Sequence, residues 1–412
     1  MRTHSHCALV LLAAPLCAQS VLHVPATYPQ IAGAIAAAQP GDVVEVASGT
    51  YAGFLCDKGI TIAAQPGAQV RVTTLVVLSP TNTEFVVPPG QLAKVSGLQF
   101  VNPGAFSPMT TEVTSGRVAF EDCSFEAPFI GILNETFGLR IRNAEVLLRN
   151  CRCTGHTSPP PLGGGGNSLP CTGLAVEQST VVAVDCEFRG GRLLGDGGVG
   201  AGDGLQATGS SLHLVRCTVV GGPSASLSCW YPNGHGLQVF AGVGTWLVDT
   251  TIQGGSHPGC PSGGDALRNN GTVPVLLTRV TAIPGVGTQQ SGAAIVGPVQ
   301  PDTAVGLASP TQAAQLGAPY RIDYVATPVT LVALFLGDHF VVQAPVVTVE
   351  PTWLPPGAPF VGFLVTDAAG LASFQTAIPN VPALRYASLW IHAAAWPGPP
   401  LHAAPPIGGV LR

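Results

Sequence analysis

Val181-Val-Ala-Val-Asp-Cys186-Glu-Phe-Arg-Gly190 and Leu212-His-Leu-Val-Arg-Cys217-Thr-Val-Val-Gly221 are two copies of one pattern. Three more copies follow the same plan: Val118-Ala-Phe-Glu-Asp-Cys123-Ser-Phe, Val146-Leu-Leu-Arg-Asn-Cys151-Arg-Cys and Trp246-Leu-Val-Asp-Thr250-Thr-Ile-Gln-Gly. Val275-Leu-Leu-Thr-Arg-Val280-Thr-Ala is a looser sixth. The Cys123-equivalent positions are 28, 35, 31, 33 and 30 residues apart, the period of a solenoid whose coils differ in loop length. Each copy alternates apolar and polar residues, so each predicts a strand with one buried face. Between them lies a second motif: Gly173-Leu-Ala-Val, Gly204-Leu-Gln-Ala, Gly236-Leu-Gln-Val and Ala266-Leu-Arg-Asn. Each coil therefore carries at least two strands, and only stacking of coils buries their apolar faces. Cys123, Cys151, Cys186 and Cys217 fall at one inward position and predict a ladder of small buried side chains.

The N-terminal coil predicts a strand at Val21 to Val24 and then a helix. Thr27 and Gln30 fit a capping box, Pro29 fits the first turn, and Ile31, Ala34, Ile35 and Ala38 form one apolar face. Such a helix across the open end of a solenoid would shield its core. Here the chain resembles a known class. Val24-Pro-Ala-Thr-Tyr-Pro-Gln-Ile-Ala-Gly-Ala-Ile, then Pro40-Gly-Asp-Val-Val-Glu-Val, Ser48-Gly-Thr-Tyr51 and Lys58-Gly-Ile-Thr-Ile62, is similar to the opening of right-handed parallel β-helix proteins of the pectate-lyase-like superfamily. With the repeats, the resemblance covers about residues 20–290. It implies a right-handed parallel β-helix with an N-terminal capping helix. The superfamily includes polysaccharide lyases, polygalacturonases, pectin esterases and members without demonstrated activity, so the fold alone does not assign a reaction.

Residues 285–312 lack the repeat and read as a linker. From residue 313 short strand patterns crowd together, including Tyr320-Arg-Ile-Asp-Tyr, Val329-Thr-Leu-Val-Ala-Leu-Phe-Leu-Gly, Phe360-Val-Gly-Phe-Leu-Val and Ala387-Ser-Leu-Trp-Ile-His. Asp367-Ala-Ala-Gly370 reads as a hairpin turn. Several strands within ~100 residues predict a small β-sandwich. It resembles the C-terminal modules of many large secreted bacterial proteins, in Thr366-Asp-Ala-Ala-Gly-Leu and Ile378-Pro-Asn-Val-Pro-Ala-Leu. The expected organisation is residues 1–18 signal peptide, 19–284 β-helix, 285–312 linker and 313–412 β-sandwich, an all-β protein.

Composition narrows the function. Gly and Pro, 52 and 38 of 412 residues, are too frequent for long helices. At 46% hydrophobic and 9% charged residues, the chain is too apolar to be disordered. A net charge of −5 with two lysines argues against nucleic acid and anionic membrane as partners. Past the N-terminus no apolar run reaches the ~18–20 residues of a transmembrane span. Arg2, the apolar stretch Ala8 to Leu16 and Leu16-Cys17-Ala18 read as a signal peptide cleaved near Ala18, giving a secreted or cell-surface protein. The rival, a lipid anchor on Cys17, wants small residues where Pro15-Leu16 stand. Removing Cys7 and Cys17 from 11 cysteines leaves nine, so at least one stays unpaired within the chain. Cys229 and Cys260, in equivalent loops of neighbouring repeats, are the preferred disulfide, with Cys153–Cys171 the second candidate. No CxxC spacing suggests zinc, and no cofactor or metal is expected.

One column carries the chemistry. The residue before the second motif is Thr172, Asp203, His235 and Asp265 on successive coils. At a strand spacing of ~4.8 Å, Asp203 and Asp265 lie ~9–10 Å apart, at the upper edge of the separation in inverting glycosidases. His235 between them suits acid or base work near neutral pH. Trp230 and Tyr231 offer faces on which a sugar stacks, and Arg268 suits a carboxylated sugar. Asn233-Gly-His235-Gly-Leu resembles the Gly-His-Gly-Leu element of polygalacturonases. Their paired aspartates and the Arg-Ile-Lys element are missing, as are the arginine-rich motif of pectate lyases and the esterase aspartate pair. Asp and His beside Gly also make turns by bonding nearby backbone. The expected function is binding, with or without hydrolase or lyase cleavage, of extracellular polysaccharide or cell-surface glycan by a monomer. The alternative is a non-catalytic, adhesin-like or structural surface protein.

Overall fold

The computed structural model describes residues 19–73, 82–101, 111–127, 136–156, 171–192, 201–224, 233–257, 261–302, 307–310, 314–340, 342, 348, 352–396 and 401–411. The expected signal peptide and the Cys229–Cys260 disulfide lie outside these residues. The chain divides into two compact units, Ser20–Pro301 and Asp302–Arg412.

The first unit is a parallel β-helix. Every strand pair in it is parallel, and the coils from Val43–Val46 to Ile295–Val296 each contribute a strand segment to each of three faces. Face one runs from Val21–Val24 through Thr180–Val184 and Ser211–Val215 to Val299–Pro301. Face two is a nine-stranded sheet from Gly49–Ala52 to Thr281–Ile283. Face three includes Cys171–Glu177, Leu205–Thr208, Leu237–Phe240 and Leu267–Asn269. The coils continue through Ile295–Val296 and Val299–Pro301, within the stretch expected to be a linker. Those strands are two and three residues long, too short to show an alternating pattern.

The faces are joined in different ways. Between faces one and two a single left-handed residue makes the corner on successive coils: Asp122, Asn150, Asp185, Arg216, Asp249 and Arg279, with φ between 48° and 55°. Asn and Asp tolerate this conformation. Arg216 and Arg279 occupy it with bidentate ion pairs to the preceding coil, Arg216 to Asp185 at 2.7 and 2.6 Å and Arg279 to Asp249 at 2.5 and 2.8 Å. The next residue points inward and is the expected cysteine ladder. Cys123, Cys151, Cys186 and Cys217 each place Sγ 3.2–3.4 Å from the carbonyl two residues earlier. Thr250 makes the same bond with its hydroxyl at 2.9 Å. All four thiols are buried and free.

Cys153 and Cys171 keep their thiols and form no disulfide, which overturns that candidate pairing. Cys153 is packed in the core between the ring-bearing positions Phe125 and Phe188 of face two, whereas Cys171 starts a strand of face three and accepts a hydrogen bond from Thr136 Oγ1 at 3.0 Å.

Between faces two and three the chain leaves and re-enters through glycine necks. Gly191 N–H donates to Cys171 O, Gly202 to Gly191, Gly222 to Gly202, Gly234 to Gly222, Gly255 to Gly234, Gly264 to Gly255, Gly285 to Gly264 and Gly292 to Gly285, at 2.7–3.2 Å. This continuous line runs along the solenoid axis and zigzags between departing and returning backbone. Side chains have no room in it. A Cβ on Gly234 would stand 2.0 Å from the Gly202 oxygen, and one on Gly264 2.0 Å from that of Gly234.

The N-terminal helix, α1, spans Ile31–Ala37 and buries Ile31, Ala34 and Ile35, as its apolar spacing predicts. The expected capping box does not form. The Thr27 and Tyr28 N–H groups donate to His23 O, so a turn precedes the helix. Gln30 is the N-cap, and its Oε1 instead accepts the Ala52 N–H at 3.0 Å. Lys58 Nζ donates to the Ile35, Ala36 and Ala38 carbonyls at 2.9–3.2 Å and satisfies the other end.

The second unit packs a three-stranded antiparallel sheet (Leu307–Pro310, Pro319–Val325, Leu371–Ala377) on a four-stranded one (Phe360–Val365, Leu331–Gly337, Ser388–Trp396, His402–Val410). Tyr320, Ile322, Tyr324 and Phe374 of one sheet share a buried cluster with Val332, Leu334, Leu389 and Ile391 of the other, which makes a small β-sandwich. The Asp367–Gly370 turn is tight, with Asp367 Oδ1 accepting the Ala369 and Leu371 N–H groups at 2.8 and 3.0 Å. It is not a hairpin, because the strands on either side pair in different sheets. Local turn chemistry does not say which sheet the chain enters next.

Candidate functional site

Asp203, His235 and Asp265 each follow a neck glycine and begin the face-three segment of successive coils. Backbone bonds Gly204 N to His235 O and Gly236 N to Asp265 O, 3.0 and 2.9 Å, lock them in one column. Their side chains reach the next coil rather than their own turn. Asp203 Oδ1 accepts the His235 N–H at 2.7 Å, His235 Nδ1 accepts the Asp265 N–H at 3.1 Å, and Asp265 Oδ1 accepts the Ala293 N–H at 2.7 Å. The column is a ladder of side chains, each capping the backbone of the coil that follows.

Arg268 joins it. Its Nε lies 2.8 Å and its Nη2 2.5 Å from Asp265 Oδ2. Both Asp265 oxygens are therefore engaged. His235 Nδ1 lies 3.5 Å from the same Oδ2, a contact and not an ion pair while the ring is neutral. Burial lowers the His235 pKa, the Arg268 charge adds to that, and Asp265 opposes it. Burial also pushes the Asp203 carboxyl up to about 7, against the hydrogen bond from His235 and the Arg268 charge. Asp203 thus exchanges its proton near neutrality.

Three residues along, on the outer side of face three, Gln206, Gln238 and Arg268 stand in register. They and the first column make a polar patch two residues wide and three coils long, at ~4.8 Å per coil. Gln206 and Gln238 were legible in the sequence as the third residues of Gly204-Leu-Gln and Gly236-Leu-Gln, since period 2 turns that position away from the buried Leu205 and Leu237. At one end the patch opens into a groove of about 380 Å³ lined by Glu177, Gln178, Gln206 and Thr208 among others. A larger groove of about 550 Å³, at the corner of faces three and one by Gln91, Arg117 and Glu145, lies apart from the column. Of the six residues expected at the site, Asp203, His235, Asp265 and Arg268 come together. Trp230 and Tyr231 lie outside the described residues.

Among the described residues no three or more His, Cys, Asp or Glu are placed to hold a metal ion, and no helix is long and apolar enough to cross a membrane. Fold and patch together define a parallel β-helix protein with a largely buried polar column, Asp203, His235 and Asp265, beside the outer row Gln206, Gln238 and Arg268 on face three. Set against family models, curated proteins and solved structures, the chain matches none.

Proposed function

We propose that this is an exported, pectate-lyase-like β-helix protein that binds extracellular polysaccharide along face three, in an adhesin-like role without cleavage. The observation that carries this is the double column Asp203, His235, Asp265 and Gln206, Gln238, Arg268. Carboxamides present a donor and an acceptor side by side, the match for neighbouring sugar hydroxyls, and Arg268 adds N–H donors beyond those on Asp265. A linear array at a fixed spacing suits an extended polymer. The signal-like residues 1–18 support export.

Binding is favoured over cleavage because both Asp265 oxygens are committed, one to the Ala293 N–H and one to Arg268. Cleavage is the second reading, and one observation favours it: a carboxyl titrating at about 7 is a competent general acid. The test is retention of the mature protein on a panel of acidic and neutral polysaccharides, with reducing ends and unsaturated sugar followed in parallel. Retention that Gln238→Ala and Arg268→Ala weaken, without product, supports binding. Product release abolished by Asp203→Ala would establish the enzyme.

A further inference from the structure

The two edges of the four-stranded sheet in the second unit are unlike each other. The His402–Val410 edge carries Pro405 and Pro406, which lack N–H groups and cannot extend a sheet. The Phe360–Val365 edge, Phe-Val-Gly-Phe-Leu-Val, has neither proline nor charge, and among the described residues no strand pairs with its outer side. Phe360, Phe363 and Val365 of this strand are 51%, 61% and 58% exposed, and Trp396 of the same sheet is 52% exposed. Phe360 lies 5.7 Å from Phe335 and 4.7 Å from Phe363, ring centre to ring centre, so the apolar groups form one face. An unguarded edge beside an apolar face is what soluble proteins avoid unless something pairs with it.

We propose that a second copy of this chain pairs there, the two Phe360–Val365 edges joining antiparallel about a twofold axis. Antiparallel pairing of identical strands is self-complementary, so one surface serves both partners. A sugar fits less well, because among the described residues Phe360, Phe363 and Val365 offer it no side-chain hydrogen bond and Trp396 offers only its indole N–H. The area sets the strength. About half of each of the two phenylalanine rings on the edge strand, at roughly 150–250 Å² per ring, with Val365 and the strand edge, gives roughly 300–400 Å² per copy, and Trp396, two strands in, stays outside the seam. The pair then buries roughly 600–800 Å², below the ~1,200 Å² of stable complexes, which makes the dimer weak and transient.

Sedimentation velocity of the mature full-length chain, from low to high micromolar, tests this. The wild type should pass from monomer to dimer. Phe363→Lys with Val365→Lys should stay monomeric with unchanged circular dichroism, and Phe360→Lys alone should weaken association at least tenfold. Val243→Lys, at a 71% exposed position of the first unit, should dimerise like the wild type. A wild type that stays monomeric throughout, or a dimer that survives the double substitution, overturns the proposal. So does a monomer whose retention on polysaccharide is lost with Phe363→Lys, which would make the face a glycan platform.

Discussion

The main-chain N–H of Asp265 donates to Nδ1 of His235 at 3.1 Å, which fixes the tautomer of that ring. Nδ1 accepts, so the neutral imidazole carries its proton on Nε2. Protonating Nδ1 would break this bond between coils, and burial with Arg268 nearby already disfavours the charged ring. Long-range ¹H–¹⁵N spectra at pH 7 should show the Nε2–H form, and the ring should stay neutral below its ordinary value of 6.5. A His235 that titrates above 6.5 contradicts the geometry.

Asp203 sets a pH dependence of the opposite kind. Its folded carboxyl holds a proton up to about 7, while the unfolded one releases it near 4. Between those values the folded state binds more protons, so this contribution to stability is present below about 4 and is lost as pH rises through 7. Asp203→Asn keeps an oxygen for the His235 N–H and has nothing to ionise. At pH 8 it should be roughly 1–4 kcal/mol more stable than wild type, and at pH 4 about equal, by urea unfolding. A variant less stable at pH 8 would show that Asp203 is ionised without penalty.

The glycine necks predict a sharp contrast. Gly264→Ala drives a Cβ to 2.0 Å from the Gly234 oxygen, backbone against backbone, and should cost more than about 3 kcal/mol or prevent folding. Gly357, at φ 77° with no atom near its would-be Cβ, should lose only about 1–2 kcal/mol to alanine for its left-handed backbone. Thermal melts of the two variants make the comparison.

The thiols of Cys56, Cys123, Cys151, Cys153, Cys171, Cys186 and Cys217 are buried. Burial pushes the Cys56 pKa up to about 12 and raises those of Cys123, Cys151, Cys153 and Cys186 well above the ordinary value. A thiol reagent should leave all seven unmodified in the native protein and label them after denaturation, as mass spectrometry of peptides would show. Fast native labelling of Cys186 would contradict the ladder.

Val329 is 76% exposed and sits at φ 60°, where a β-branched residue is strained. Val329→Gly removes that strain and buries nothing less, so the melting temperature of the second unit should rise, by about 1 kcal/mol of stability. A fall would mean that the valine packs in solution.

Repeats and alternation made the solenoid legible because each coil repeats one inward position, Cys123 to Val280. The column Asp203, His235, Asp265 was legible for the same reason. Its bonding was not. Which backbone a side chain reaches depends on the next coil, some 30 residues away, and not on its own glycines. The corner arginines Arg216 and Arg279 were hidden too, because the left-handed conformation they adopt is set by the coil geometry and by Asp185 and Asp249 one coil earlier. At α1 the Thr27–Gln30 pattern promised a capping box, and a turn onto His23 took precedence.

The most direct test of the proposed function is affinity electrophoresis of the mature wild type and of Gln238→Ala/Arg268→Ala through gels holding single polysaccharides. Wild-type mobility should fall in at least one acidic or neutral polysaccharide, and the double variant, folded by circular dichroism, should bind at least tenfold more weakly. Equal retardation of both proteins, or retardation of neither across the panel, contradicts glycan binding on face three.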